Sequence, residues 1–152
     1  MMNYVKKVRQ KVGNMPLVLA VTGTIVYKDD KILLQYRTDH NLWAIHGGAI
    51  ELGETVEMAM KRELMEEINI VPTKYRLYGI YSGPDMHNIY PNGDEVYYVN
   101  IVYFCEEYDG DIKVDHDEVE KLKWFDVNSL PDDMMTVDRV ILKDLNKFLT
   151  KC

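Results

Sequence analysis

Cysteine is scarce in this chain: of 152 residues, two are cysteines, Cys105 and Cys152. The first lies in an apolar run and the second is the last residue, so the spacing offers neither a disulfide framework nor a cysteine-rich metal site. A reducing cytoplasm is the expected compartment. Long apolar runs are missing too. No stretch reaches the ~20 residues needed to cross a bilayer, and the N-terminus lacks the apolar segment of about 7–15 residues that marks a secretory signal. Basic charge is in deficit, with 18 Lys and Arg against 25 Asp and Glu and a formal net charge of −7. Such a surface does not attract duplex nucleic acid or an anionic membrane, and neither is an expected partner. A phosphate-bearing substrate would need a local device to offset the repulsion, and a bound divalent cation is the obvious one. No internal repeat, low-complexity tract or linker is visible, so residues 1–152 are expected to form a single domain.

What is present is an ordinary globular composition, 47% hydrophobic and 28% charged, with both signs spread along the chain. That suffices for one buried core. Residues 3–12 are expected as a short helix, stopped by Gly13 and Asn14 ahead of Pro16. Its Lys6, Lys7, Arg9 and Lys11 form a basic patch, either a solvated face or a hold on substrate phosphates or a partner subunit. Leu17 to Tyr27 is rich in β-branched residues, and Lys31–Arg37 follows the Asp29-Asp30 turn as the second strand of a hairpin. A loop from Thr38 to Asn41 leads into Leu42 to Ile45, and Gly47-Gly48 reads as a break. Thr73–Gly83 and Glu95–Glu107 are aromatic and β-branched, hence strands, separated by a turn at Pro91-Asn92-Gly93-Asp94. Short strands are expected at Ile112–Val114 and Lys121–Asp126. Val137, Val140, Ile141, Leu145, Phe148 and Leu149 share one face of a C-terminal helix over Val137–Leu149. The sum is an α+β fold, a mixed β-sheet with helices packed on it.

The chemically informative stretch runs from Gly47 to Ile70. Thr55 suits the N-cap of a helix reaching Ile68, with Glu54 and Glu57 near the positive end of its dipole. Asn69 suits the left-handed residue after the last turn. At 100° per residue, Val56, Ala59, Met60, Leu64 and Ile68 form one apolar sector. Glu63 and Glu67 fall inside that sector and Glu66 on its edge, where solvated decoration would avoid both the apolar side and like-charge neighbours. Partly desolvated, such carboxylates take up protons unless a cation intervenes, and a hard cation accepting several oxygens relieves them well. Gly47-Gly48, a few residues upstream, permits a close backbone approach whose carbonyl can complete a metal shell.

These residues carry a specific resemblance. Gly48, five residues, Glu54, seven residues, then Arg62-Glu63-Leu64-Met65-Glu66-Glu67-Ile68-Asn69-Ile70 resembles the Nudix box across residues 47–70. One box position departs: Asn69 stands where the family has glycine, a mild change because Asn tolerates the left-handed conformation. His46 stands where many members carry proline, either a neutral replacement or a change to the loop or a substrate contact. Trp43 before Gly-Gly, Glu118 six residues before Trp124, and the terminal helix extend the resemblance over nearly the whole chain.

The resemblance implies a Nudix-type mixed β-sheet sandwiched between helices, with a catalytic loop-helix-loop after the first strands. It implies a hydrolase that cleaves a diphosphate linkage in a nucleotide-type small molecule: a nucleoside triphosphate, a nucleotide sugar or ADP-ribose. Glu63, Glu66 and Glu67 would bind Mg2+ or Mn2+ with the Gly48 carbonyl, and Glu54 and Arg62 would brace the loop against the helix. The general base would be a box glutamate such as Glu66, or Glu118 in the acidic loop, which could instead be a further ligand. Arg37 is a candidate for phosphates, and Tyr81, Tyr90, Tyr97 and Tyr98 are candidates for base stacking. A homodimer is common among members. Two other readings stand beside this one: removal of pyrophosphate from RNA 5′ ends, which the acidic net charge disfavours, and a non-catalytic nucleotide-sensing domain, which would be expected to have lost box carboxylates.

Overall fold

The computed structural model describes residues 3–114 and 119–151. Helix α1 (Tyr4–Val12) begins at Asn3, whose side chain accepts from the Lys6 N–H, and ends at Gly13. Strand β1 (Leu17–Lys28) turns back into β2 (Lys31–Arg37) through Asp29 and Asp30, at φ 52° and 60°. Two consecutive left-handed residues make the tight turn whose twist matches a hairpin, and Asp is one of the few residues that tolerates it. The Tyr27 hydroxyl donates to Asp30 Oδ1 and holds the turn.

β1 is the spine. Its last residues pair with β2, from Val26 with Leu33 to Lys28 with Lys31. Its centre pairs with β4 (His46–Ala49), which follows β3 (Leu42–Ala44). Along its other edge it runs parallel to β7 (Glu95–Asp109), from Leu17 opposite Val96 to Val26 opposite Cys105. β5 (Val71–Tyr81) and β6 (His87–Ile89) pair with β7, and β8 (Val119–Asp126) pairs with β2. The sheet is mixed, in the order β3-β2-β1-β7-β5.

Both faces are covered. Helix α2 (Val56–Ile68) lays Met60, Leu64 and Ile68 on Val26, Leu33 and Ile70 on one face. Helices α3 (Thr136–Leu142) and α4 (Leu145–Thr150) cover the other, where Ile25, Ile32, Leu34, Phe104, Ile141 and Leu145 are buried. The expected α+β sandwich is the observed one. Among the described residues, no helix is long and apolar enough to cross a membrane.

Three expectations need correction. Gly47-Gly48 is no break: it lies inside β4, with Gly47 opposite Gly23 and Gly48 opposite Thr22. The stretch Ile112–Val114 forms no strand, because the Lys113 N–H bonds the Ile68 carbonyl at the end of α2 instead of a neighbouring strand. The C-terminal helix is broken at Lys143 and Asp144. There the Tyr78 hydroxyl takes the Ile141 carbonyl at 2.7 Å and the Tyr81 hydroxyl takes Asp144 Oδ2 at 2.7 Å. The Ile141 carbonyl also accepts from the Asp144 N–H in a tighter i→i+3 turn, and the chain restarts as α4.

Candidate functional site

Helix α2 starts and stops as its sequence dictates. Thr55 caps its N-terminus by accepting from the Met58 N–H. Asn69 ends it at φ 63°, ψ 37°, and its side-chain amide donates to the Asp111 carbonyl. Those boundaries turn one face of the helix toward β4.

On that face the carboxylates separate by burial. Glu67 is 5% exposed. The Gly47 N–H donates to its Oε1 at 3.4 Å, and His46 Nδ1 lies 3.5 Å from its Oε2. Glu63, one turn earlier, sits against the Gly48 backbone so closely that a Cβ there would be 2.5 Å from its Cδ and 2.8 Å from its Oε2. Burial first, then the Glu67 charge, push the Glu63 carboxyl up to about 7, although Arg62 pulls the other way. Glu66 is more than half exposed and turns to Arg62 Nη1 at 3.3 Å.

Arg62 is the hub. Its Nε and Nη2 grip both oxygens of Glu54 at 2.8 and 2.9 Å, Nη2 also reaches the Ala49 carbonyl, and Nη1 donates to Glu63 Oε1 at 2.8 Å. Glu54 Oε1 accepts in addition from the Glu51 N–H. The bidentate guanidinium holds the Glu54 carboxyl below its ordinary range and ties the loop before α2 to the end of β4. Arg62 and Glu54 therefore build the scaffold on which Glu63 is displayed.

His46 is fully buried. Its Nε2 lies 3.1 Å from the Leu33 carbonyl, an acceptor only, so Nε2 carries the proton. Burial pushes the ring down to about 4, so it is neutral and its Nδ1 lone pair faces Glu67. The replacement for proline touches a box carboxylate.

A cleft of about 340 Å³ opens beside the Gly47-Gly48 backbone. The structure brings Arg37 and Tyr90 to its wall, as the sequence suggested, together with Tyr98, whose hydroxyl is hydrogen-bonded to that of Tyr90. Arg37 is braced by Asp39 at 2.8 and 2.6 Å. Tyr81 is not brought there: it stacks on Tyr78 and bonds Asp144, under the C-terminal helices. Tyr97 also lies outside the cleft, its ring 4.6 Å from that of His87. Glu118 and its neighbours Asp115, His116 and Asp117 fall outside the described residues. Of the basic patch, Lys6 and Arg9 line the cleft, and Arg9 is committed to the Gly13, Met15 and Glu95 carbonyls and to Asp94.

Two cleft residues escaped the sequence reading. Asp138 is buried, accepts from the Ile45 N–H at 3.1 Å, and is pushed up to about 7 by burial. The signal was present: Asp138, Ile141, Leu142 and Leu145 recur at i, i+3, i+4, i+7, so one carboxylate heads a buried series. Asn100 is the second, the lone polar residue in the alternating buried series Val96, Asn100, Val102 and Phe104 of β7.

The donor set fits a divalent cation in part. Glu63 and Glu67 are two desolvated carboxylates facing a glycine backbone, and the mutual repulsion that raises Glu63 is what a cation relieves. Among the described residues no three such groups converge, and Glu66 lies against Arg62. Its exposed side chain, one turn from Glu63, has the freedom to turn back.

The NUDIX domain family matches residues 17–145. An ADP-ribose pyrophosphatase of Methanocaldococcus jannaschii is 38% identical over 116 residues, 74% of this chain and 64% of that protein. An NAD-capped RNA hydrolase NudC of Vibrio atlanticus is 32% identical over 119 residues, 77% of this chain but 40% of that protein. The crystal structure of a MutT NUDIX hydrolase from Burkholderia pseudomallei superposes with a TM-score of 0.71 at 27% identity, covering 83% of this chain and 96% of that one. The chain belongs to the Nudix family. It spans about two thirds and two fifths of the lengths of the two curated relatives just named.

Proposed function

We propose that this protein hydrolyses a diphosphate linkage in a small nucleoside diphosphate derivative, ADP-ribose or a compound of that kind, with a divalent cation, Mg2+ or Mn2+, at the α2 face. One observation carries the reading. Glu63 and Glu67, a turn apart on one helix, are both desolvated against the Gly47-Gly48 backbone, and Glu63 is raised to about 7 by that burial and by its neighbour. A fold that only needed stability would not keep two repelling carboxylates there.

Glu63, Glu67 and Glu66 would hold the cation, with the Gly48 carbonyl beside them. When bound, the cation neutralises diphosphate charge and makes a coordinated water more acidic. The chain's own residues do the rest. Arg62 and Glu54 fix the β4–α2 loop, holding Glu63 against the Gly48 backbone. Glu66, the exposed member, would accept a proton from the attacking water. Arg37 and Tyr90 would meet the substrate in the cleft. ADP-ribose is favoured because the archaeal relative is named for that activity, and the cleft of about 340 Å³ has room for one nucleoside-sized group.

The test is turnover of ADP-ribose, NADH, UDP-glucose and nucleoside triphosphates with Mg2+, for wild type beside Glu63→Gln and Glu67→Gln. At least one compound is expected to be cleaved, with kcat falling by about 100-fold or more in each variant. Wild-type turnover in the variants would refute the assignment of these residues.

A further inference from the structure

Among the described residues, three cationic side chains line the cleft: Lys6, Arg9 and Arg37. Two of them are engaged within the fold. Arg37 lies 2.6 Å from Asp39, and Arg9 faces Asp94 at 3.6 Å while donating to the Gly13, Met15 and Glu95 carbonyls. Lys6 is exposed and alone of the three has no carboxylate partner among the described residues. In a chain of formal net charge −7, a cation on a cleft wall with no internal counterion suits an anionic ligand.

The helix that carries Lys6 is held in place by polar contacts. A helix of nine residues does not persist in water by itself, and α1 buries none of its residues. Arg9 pins one end. At the other, the Tyr4 N–H donates to Glu51 Oε2 at 2.9 Å. Glu51 belongs to the loop between β4 and α2, and its own N–H donates to Glu54 Oε1, an oxygen that Arg62 also grips. One line of hydrogen bonds therefore runs from α1 through Glu51, Glu54 and Arg62 to Glu63. What these contacts secure is the place of α1 beside the cleft rather than a buried area. Among the described residues β4 pairs with β1 alone, so its other side is an edge. A substrate that fills the cleft and meets Glu63 passes the Gly48-Ala49 end of β4, where the Glu51 loop begins and α1 is docked.

We infer that Lys6 is a substrate-binding residue whose ammonium pairs with a phosphate oxygen of the diphosphate. Glu51 is its positioning residue, holding α1 in step with the carboxylate site. An ammonium on a flexible stem acts on phosphate as a point charge and needs no fixed fork geometry, which suits an exposed wall. This inference rests on the diphosphatase reading and assigns an anion contact within it.

The experiment uses ADP-ribose as the probe, in two arms. The first measures kcat and KM with Mg2+, and the second measures binding calorimetrically with Ca2+ in place of Mg2+. Lys6→Ala should raise both KM and Kd roughly 10-fold, the scale of one charge-assisted bond. Its affinity should also fall less steeply with added salt than that of wild type. Lys6→Arg keeps the charge and should recover most of the loss, while Lys7→Ala, which lies outside the cleft, should bind as wild type does. Glu51→Ala retains the backbone bond to Glu54, so its loss should fall in KM rather than kcat. Joined to Lys6→Ala it should add little, because both changes act through one contact. Unaltered KM and Kd in Lys6→Ala, or an equal loss in Lys7→Ala, overturns the inference, and full additivity of the two changes overturns the part of Glu51. Lys6-dependent binding of ADP-ribose without hydrolysis would sustain the inference while ending the diphosphatase reading, and hydrolysis indifferent to Lys6 would do the reverse.

Discussion

Gly48→Ala separates the role of the site from the stability of the fold. Gly48 lies inside β4 with no left-handed requirement, so alanine fits its backbone. The added Cβ would fall 2.5 Å from Glu63 Cδ and 2.8 Å from Oε2, against the ordinary 3.4 Å or more, so the carboxyl must retreat by about 1 Å. What is struck is the far end of a flexible side chain, and replacing glycine in a strand recovers roughly 0.5–1 kcal/mol of backbone entropy. The fold should therefore lose at most about 1 kcal/mol, a shift in Tm of a few degrees. Activity should fall much further, about 100-fold, since a misplacement of 1 Å in a positioned group has that effect. Gly47→Ala is the control. Its Cβ would meet the Thr22 carbonyl oxygen and lie 3.0 Å from Gly23 Cα, all backbone of β1, so the strand pair itself must open and stability should fall by several degrees. Thermal unfolding and turnover measured on both variants decide the matter. A Gly48→Ala enzyme with wild-type kcat would show that the position of Glu63 is irrelevant to the reaction.

The parts of the fold legible in the sequence are those fixed by local chemistry. Thr55 and Asn69 bound α2 because each satisfies helix-end groups within its own neighbourhood. The Asp29-Asp30 turn and the β-branched and aromatic runs of β1 and β7 are equally local. So is the placement of Glu63 and Glu67 among Ala59, Met60, Leu64 and Ile68, which follows from a 100° rotation per residue. What stayed hidden depends on partners distant in sequence. The turn between α3 and α4 is held by two tyrosine hydroxyls about 63 residues upstream. Gly47-Gly48 joins the sheet because Gly23 and Thr22 face it across β1. Tyr81, Tyr90 and Tyr97 are alike as sequence, and only the path of β5, β6 and β7 sends Tyr90 to the cleft and the others elsewhere.

The same distinction governs the charged groups. Arg62 is at once partner to Glu54, Glu63 and Glu66, so one guanidinium braces the loop, orients the buried carboxylate and holds the exposed one in waiting. Its spacing to each was visible in the sequence; that it serves all three together was not. His46 shows the complement. A residue in the place of a family proline keeps a neutral ring against Glu67, and its only legible signal was the departure itself.

Two further outcomes follow from groups that do not touch the reacting atoms. Asn69→Ala removes both the left-handed tolerance and the bond to the Asp111 carbonyl, and should cost about 1–2 kcal/mol in denaturant unfolding; a neutral change would show that Asn69 is not what ends α2. Asp138 gives a pH signature whose sign is fixed. Its carboxyl is raised from 3.8 to about 7 by burial, so between those values the folded chain holds a proton that the unfolded chain has released. Stability then falls as pH rises through that window, by up to about 4 kcal/mol from this group. Asn at 138 keeps an acceptor for the Ile45 N–H and has nothing to ionise. Asp138→Asn should therefore gain stability relative to wild type as pH is raised from 4 to 8, read as the difference between their urea unfolding free energies at each pH. If that difference stays flat across the range, Asp138 is ionised in the fold, and the Arg37 charge, which favours the ionised form, outweighs burial.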